Sequence, residues 1–441
     1  MTLFALVAIL MCLVALAGWA NFMTLKLPHG VAMLLAGLTG AFVLFGLQWL
    51  APQLALLDQI EHVVSGIDFV QTVTGYMLAF LLFAGAMQVD LAEFRKRWIA
   101  ITTLATLGVG ASILIVGFGL YFIAQALAID LPLAWTLVFG ALISPTDPVA
   151  VLATVRHVRL PKSLTAILQG EALFNDGVGI VAFAALVAVA TGASDVSPAH
   201  AVFAVIVEAL GGLAIGMAAS WCVIRLMGTL DDFVVETSMS IALAMSVYAG
   251  AQALGLSGPI AAVGAGMLFG SKRAQKAMSG ETETYLKHFW TLVDEILNAL
   301  LFLLLGVEMI VVPFYKHEIG LIAGAIPLVL LARLAVVLPW GAWYGTHHRE
   351  RGATAILGWG GLHGALSLAL ALSLPRGDER TVLLAVTYAV VAFSVAVQGL
   401  TFGPMVRKLS KSGKHSGPGK RHRRSRPSAQ FPSPRSCSRA A

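Results

Sequence analysis

Ser144-Pro145-Thr146-Asp147-Pro148 and Gly170-Glu171-Ala172-Leu173-Phe174-Asn175-Asp176-Gly177 decide how this chain folds. Each places acids inside a long apolar run. A carboxylate at the centre of a bilayer costs about 2.5–3.5 kcal/mol to insert. Asp147, Glu171 and Asp176 in neighbouring runs therefore point to an ion or proton path, where membrane acids usually sit.

The composition around them is that of a polytopic membrane protein. Of 441 residues, 58% are hydrophobic and 12% charged, against roughly 25% charged in a soluble domain. Apolar runs long enough to span, about 20 residues each, fall near 2–23, 29–50, 67–88, 98–125, 132–154, 163–190, 200–227, 233–254, 257–270, 289–312, 319–345, 353–374 and 380–406. The first lacks a basic flank and a good cleavage site, so it reads as a retained helix. With the N-terminus outside, 14 Lys and Arg fall on inner loops against 3 on outer loops (Lys316, Arg376 and Arg380). That bias supports about thirteen transmembrane helices and a cytoplasmic C-terminus.

Residues 1–409 thus form one membrane domain. Residues 410–441 are rich in Lys, Arg, Ser, Pro and Gly and cannot bury enough to fold. They read as a solvated, disordered tail, with Arg421–Arg426 able to touch anionic lipid headgroups. The net charge of +6 is mostly this tail and does not argue for nucleic acid. Cys12, Cys222 and Cys437 are far apart and suggest neither a disulfide framework nor a metal motif. Gly-x-Ser-x-Gly and His-Glu-x-x-His are absent, so an intramembrane enzyme is disfavoured and no residue reads as catalytic.

Pro145 and Pro148 lack amide donors and clash with the preceding turn, so the fifth span should break near its middle. Broken backbone is tolerated at that depth only inside protein or beside water. The freed carbonyls and the Ser144 and Thr146 hydroxyls would then face inward as hard oxygen ligands. A second break is legible in Gly358-Trp359-Gly360-Gly361-Leu362-His363-Gly364-Ala365, where glycines weaken a helix interior. The two broken helices, near 132–154 and 353–374, lie seven spans apart and so run in opposite directions. Paired interruptions of that kind point to a midplane site between inverted repeats. The expected fold is all-α, with two inverted six-helix repeats around the seventh span and the broken helices crossing near the midplane.

In the sixth span Glu171 and Asn175 share a helix face, while Asp176 lies about 140° from Glu171. The two acids therefore have different jobs. Glu171 has an intramembrane base available in Arg333. Asp176 lacks a permanent partner, and either a proton or a monovalent cation can neutralise it. One site that takes either ion but not both is the minimal machinery of an exchanger. Asp294 and Glu295 read as interfacial acids at a helix end, about one turn inside the boundary. His363 has no second ligand at helical spacing, which disfavours a metal site; a buried His titrating near neutral pH is the minority reading.

These residues resemble the Na+/H+ antiporters of the monovalent cation:proton antiporter-1 family, the bacterial NhaP-type exchangers and their animal relatives. The resemblance is carried by Ser-Pro-Thr-Asp-Pro-Val-Ala-Val at 144–151, Gly-Glu-Ala-Leu-Phe-Asn-Asp-Gly at 170–177, Val-Asp-Glu-Ile-Leu at 293–297, Arg333, and Trp-Gly-Gly-Leu-His-Gly-Ala-Leu at 359–366. It implies that Asp176 binds the cation or the proton, with Asn175 beside it, and that Thr146 and Asp147 flank the ion. Na+ would be held at Asp176, Thr146 and Asp147, and Glu171 would pair with Arg333. The Asn-Asp pair implies electroneutral, one-for-one exchange. The resemblance further implies a homodimer, no cofactor beyond the transported Na+ (or Li+) and H+, and, with the short tail, a bacterial inner membrane. A K+/H+ exchanger on the same scaffold and a cation channel are the alternatives. Three positions depart from the family pattern: Ala172 for a Ser, Ala84 in Phe83-Ala84-Gly85 for a Glu, and His363 for an Arg. Because His363 carries charge only at low pH, a shifted pH profile is expected.

Overall fold

The computed structural model describes residues 3–50, 75, 77–147, 160–192, 198–308, 318–348 and 352–414. The described residues are helical almost throughout. The first helices are α1 (Leu3–Met23), α2 (His29–Leu50), α3 (Leu78–Met87) and α4 (Leu91–Thr103), which continues through a π-helical turn, Leu104–Gly108, into α5 (Val109–Ala126). Next come α6 (Leu133–Ile143), α7 (Lys162–Ala190), α8 (Pro198–Met227), α9 (Phe233–Ala253), α10 (Gly258–Phe269), the short α11 (Lys272–Ala277) and α12 (Gly280–Glu308). The chain continues with α13 (Ile319–His348), α14 (Ala353–Trp359), α15 (Ala365–Leu372) and α16 (Asp378–Phe393). A second π-helical turn, Ser394–Gln398, leads into α17 (Gly399–Lys414).

Among the described residues, eight helices are long and apolar enough to cross a membrane. The shorter apolar ones include α3, α6 and α10. Polar caps mark several ends. Asp90 accepts from the amides of Ala92 and Glu93 at α4, Asp232 from those of Val234 and Val235 at α9, and Ser257 from Ile260 N at α10. Each cap satisfies amides that have no partner within the first turn.

Large apolar side chains such as Phe42, Trp49, Phe122 and Leu210 point outward, as a helix surface facing lipid requires. The interior is packed by small residues as much as by large ones. A Cβ built on Gly37 of α2 would lie 2.5 Å from Leu303 O of α12, and one on Gly306 would lie 2.6 Å from Leu34 O. The two backbones approach so closely that neither position admits a side chain, which is the small-residue packing expected of membrane helices.

Two differences from the sequence reading bear on the site. First, α12 begins at Gly280 rather than near 289, with the Ser279 hydroxyl accepting from Thr282 N and Glu281 and Glu283 in its first turn. Hydropathy locates where a helix enters the membrane, not where it starts. Asp294 and Glu295 consequently stand well along a 29-residue helix rather than at its end. Second, α17 runs to Lys414, five residues past the expected boundary of the tail; the rest of that tail lies outside the described residues, as do 148–154 of the first expected broken helix.

Candidate functional site

Helix α6 stops where proline forbids its continuation. Ser144 makes the last regular bond, N to Gly140 O at 3.1 Å, and its hydroxyl donates to the same carbonyl at 2.6 Å. Pro145 has no amide to offer. On the other side, α14 ends with Gly360 N bonded to Ile356 O at 2.9 Å, and α15 restarts at Ala365. Between these ends the two freed segments run extended and antiparallel. Asp147 N donates to Leu362 O at 2.6 Å, forming an isolated β-bridge.

Successive side chains of an extended segment point to opposite sides. Pro145 and Asp147 line a cavity of about 850 Å³, together with Asp176 of α7. Asp147 and Asp176 are near enough that their charges repel. Ser144 and Thr146 face the other way, onto a void of about 20 Å³ shared with Arg333 and His363. The Thr146 side chain, expected beside the ion, meets Asn175, whose Nδ2 donates to Thr146 Oγ1 at 2.9 Å. Both residues are buried. They brace the interrupted segment against α7, whereas the two aspartates face the cavity.

Arg333 of α13 donates to both carboxylate oxygens of Glu171, with Nη2 to Oε2 at 2.9 Å, and also to Leu357 O at 3.1 Å. Glu171 and Arg333 are buried, and a two-pronged guanidinium–carboxylate pair fits a dry site. The pair ties α7, α13 and α14 together. Gly361 of the second break presses on the guanidinium: a Cβ there would lie 2.4 Å from Arg333 Nε. Gly364 presses on the other charged group, since its Cβ would lie 2.6 Å from Asp147 Oδ2. Two of the glycines read as helix breakers in the sequence, Gly361 and Gly364, are therefore also contact surfaces for charged side chains.

His363 is buried between the two breaks. Its amide donates to Ser394 Oγ at 2.9 Å, and its ring Nδ1 lies 3.3 Å from Pro145 O. It does not line the large cavity. Among the three departures from the family pattern, Ala172 lines the cavity and Ala84 is fully buried against α10 and α12.

The cavity also contains acids and amides that the sequence reading set aside. Asp294, Glu295 and Asn298 of α12 line it, as do Gln88 and Gln169. Asn298 Nδ2 donates to Asp294 Oδ1 at 2.8 Å, and Gln88 Nε2 reaches Asp294 Oδ2 at 3.4 Å. The Asp294/Asn298 spacing of four was a legible signal of a shared helix face. It becomes informative once the helix is known to begin at Gly280. Among the described residues, no group of three or more His, Cys, Asp or Glu is arranged to hold a metal ion.

An extended crossing of two interrupted helices, a buried ion pair behind it and two acids before a cavity are features that can be compared with known proteins. The family model described as sodium/hydrogen exchanger, transmembrane, matches residues 9–408. The Na+/H+ antiporter NhaP of Pseudomonas aeruginosa is 36% identical over 409 residues, covering 92% of this chain and 96% of its own. The Na+/H+ antiporter NhaH of Halobacillus aidingensis is 34% identical over 393 residues, covering 87% and 93%. The solved structure of the sodium proton antiporter MjNhaP1 from Methanocaldococcus jannaschii superposes with a TM-score of 0.68 at 18% identity, covering 93% of this chain and 99% of that one; it speaks to the fold. The match runs through both interrupted helices and through every residue of the crossing, and this chain belongs to the transmembrane sodium/hydrogen exchanger family.

Proposed function

We infer that this integral membrane protein is a secondary antiporter, not an enzyme, that exchanges Na+ for H+ through the cavity ending at Asp176 and Asp147. The observation that carries the reading is the pairing of two cavity-facing aspartates at a crossing of extended backbone, with Glu171 already neutralised by Arg333. Glu171 is already neutralised by Arg333, which leaves Asp176 as the acid that exchanges its charge. A bare carboxylate is expensive to carry through a membrane interior. Loading by either Na+ or H+ lowers that expense, so both ions license the same movement and compete for the same acid.

Asp176 is the carrier in this reading and Asp147 completes the oxygen shell, with backbone carbonyls and water supplying the rest. Asn175 and Thr146 hold the extended segment in register. Glu171 and Arg333 anchor it, and His363 modulates its pH response. Asn175 brings no second acid to carry a second proton. The loaded site then has the same charge with Na+ as with H+, and one-for-one exchange is electroneutral whatever charge Asp147 keeps.

The cavity reaches Lys26 and Arg407; with both on the cytoplasmic side, as the Lys and Arg bias has them, the cavity is open inward in this reading. Helix occupies the described part of each of the thirteen apolar runs apart from the two interruptions, and those two meet. These facts support thirteen spans in two inverted repeats. A homodimer in a bacterial inner membrane completes the reading.

The test is proton flux in everted vesicles under a pH gradient, with Na+, Li+ or K+ added in turn to wild type and Asp176→Asn. Na+-triggered flux lost in the variant supports the assignment. Flux that survives in Asp176→Asn moves the carrier to Asp147, and a wild type that answers to K+ alone refutes Na+ as the cargo. A wild-type rate that changes with a clamped membrane potential refutes electroneutrality.

A further inference from the structure

Interrupting a helix leaves backbone groups without partners, and in a buried position each needs one. At the break between α14 and α15, two such groups are the His363 amide and the Trp359 carbonyl. Both are met by side chains of the π-helical turn between α16 and α17. His363 N donates to Ser394 Oγ at 2.9 Å, the Ser394 hydroxyl donates to Gln398 Oε1 at 2.6 Å, and Gln398 Nε2 reaches Trp359 O at 3.5 Å. Ser394 and Gln398 are 0% and 1% exposed. They are the first and last residues of the π turn, a distortion frequent at functional sites. Neither lines the ion cavity.

The segment they hold is the one that holds Asp147. Leu362 O accepts from Asp147 N, Gly364 abuts the Asp147 carboxylate, and the His363 ring lies against Pro145 O. Residues 362, 363 and 364 thus each touch the 145–147 segment, and the middle one is tied from behind by Ser394.

We propose that Ser394 and Gln398 are positioning residues for ion exchange: a hydroxyl–amide latch that fixes the 360–364 segment and, through Leu362 and Gly364, the placement of Asp147 beside the ion. The proposal rests on the exchange reading above. The latch touches no ion. It removes the slack that the glycine-rich break would otherwise have, and its loss is felt as weaker cation binding rather than as a lost carrier.

The experiment measures Na+-triggered proton flux of purified protein in proteoliposomes as a function of Na+ concentration, for wild type, Ser394→Ala, Gln398→Met and the double variant. Each single substitution raises the apparent KM for Na+ about tenfold, the scale of one buried hydrogen bond. The saturating rate per folded protein stays within about twofold, as expected when binding rather than the moving step is disturbed. The double variant is no worse than the more affected single, because the two side chains act as one chain. An unchanged KM, with the rate falling only as folded protein is lost, would show a merely structural role and overturn the latch. Effects of the singles that multiply in the double would also overturn it. If Ser394→Ala fails to reach the membrane, Ser394→Thr, which keeps the hydroxyl, takes its place: a KM raised in Gln398→Met but not in Ser394→Thr supports the latch, and an unaltered KM in Gln398→Met refutes it. Absence of Na+-triggered flux in the wild type refutes the exchange reading and the latch with it, whereas normal wild-type flux beside unaltered variants refutes the latch alone.

Discussion

Replacing Gly364 with Ala tests the crossing more directly than removing a charge does. The added Cβ would sit 2.6 Å from Asp147 Oδ2, 2.8 Å from Asp147 Cβ and 3.0 Å from Asp147 Cγ. Ordinary van der Waals contact begins at 3.4 Å, so the two residues must part by about 0.6 Å at the Asp147 Cβ. Rotating the Asp147 side chain does not relieve the clash, because its own Cβ is among the atoms struck. The backbones must separate, yet Asp147 N is bonded to Leu362 O two residues away. Overpacking of this kind costs about 1–3 kcal/mol, and a misplacement near 1 Å at a reacting group lowers rates by up to about a hundredfold. The expected result is a roughly 10- to 100-fold fall in Na+-triggered flux, with protein still extracted as a monodisperse species. Gly46→Ala is the control, since a Cβ there meets nothing within 4 Å. Folded Gly364→Ala with wild-type flux and wild-type Na+ dependence would refute the claim that Asp147 is held in place by the second break.

Three further outcomes follow from the same geometry. Arg333→Met leaves the buried Glu171 uncompensated and should destabilise the protein by about 3–5 kcal/mol, whereas Arg333→Met combined with Glu171→Leu should recover much of that loss; melting temperatures in detergent decide it, and a double variant no more stable than Arg333→Met contradicts the pairing. Thr146→Val removes the acceptor for Asn175 Nδ2 and leaves a buried donor unpaired, so apparent Na+ affinity should fall roughly tenfold while Thr146→Ser stays near wild type; equal behaviour of the two variants would remove the brace. Competition at one acid fixes the sign of the pH response: protons win as pH falls, so the acid limb of the activity profile should move to lower pH by about one unit for each tenfold rise in Na+, and an acid limb that ignores Na+ would mean separate sites.

Much of the frame was legible because hydropathy and proline placement act locally. The helix interruptions are written in Pro145, Pro148 and the 358–364 glycines, and Arg333 stood out as a base in an apolar run. What the sequence did not yield depends on phase. Whether Thr146 or Asp147 faces the cavity turns on where α6 ends, since one more helical residue would exchange the two sides of the extended segment. The role of Asp294 depended on α12 starting nine residues before its apolar part, a polar stretch that hydropathy assigns to a loop. Ser394 and Gln398 lie in a π turn, where the usual 3.6-residue phase no longer tells which face a side chain occupies.

That phase dependence also explains how one short segment serves two purposes. Ser144 and Thr146 turn toward Arg333, His363 and Asn175, where every role is to hold; Pro145 and Asp147 turn toward the cavity, where the role is to exchange. A helix could not separate them so cleanly, because residues one apart on a helix differ by only 100° and share neighbours. Beyond the helix end, alternation places anchoring groups and cavity-facing groups back to back along one short segment. The anchors on one side can therefore be permanently satisfied, as Thr146 is by Asn175 and Glu171 by Arg333. The opposite side carries Asp147 toward the cavity, across from Asp176. Pro145 is what ends the helix here, so it creates the site's two-sidedness as well as its opening.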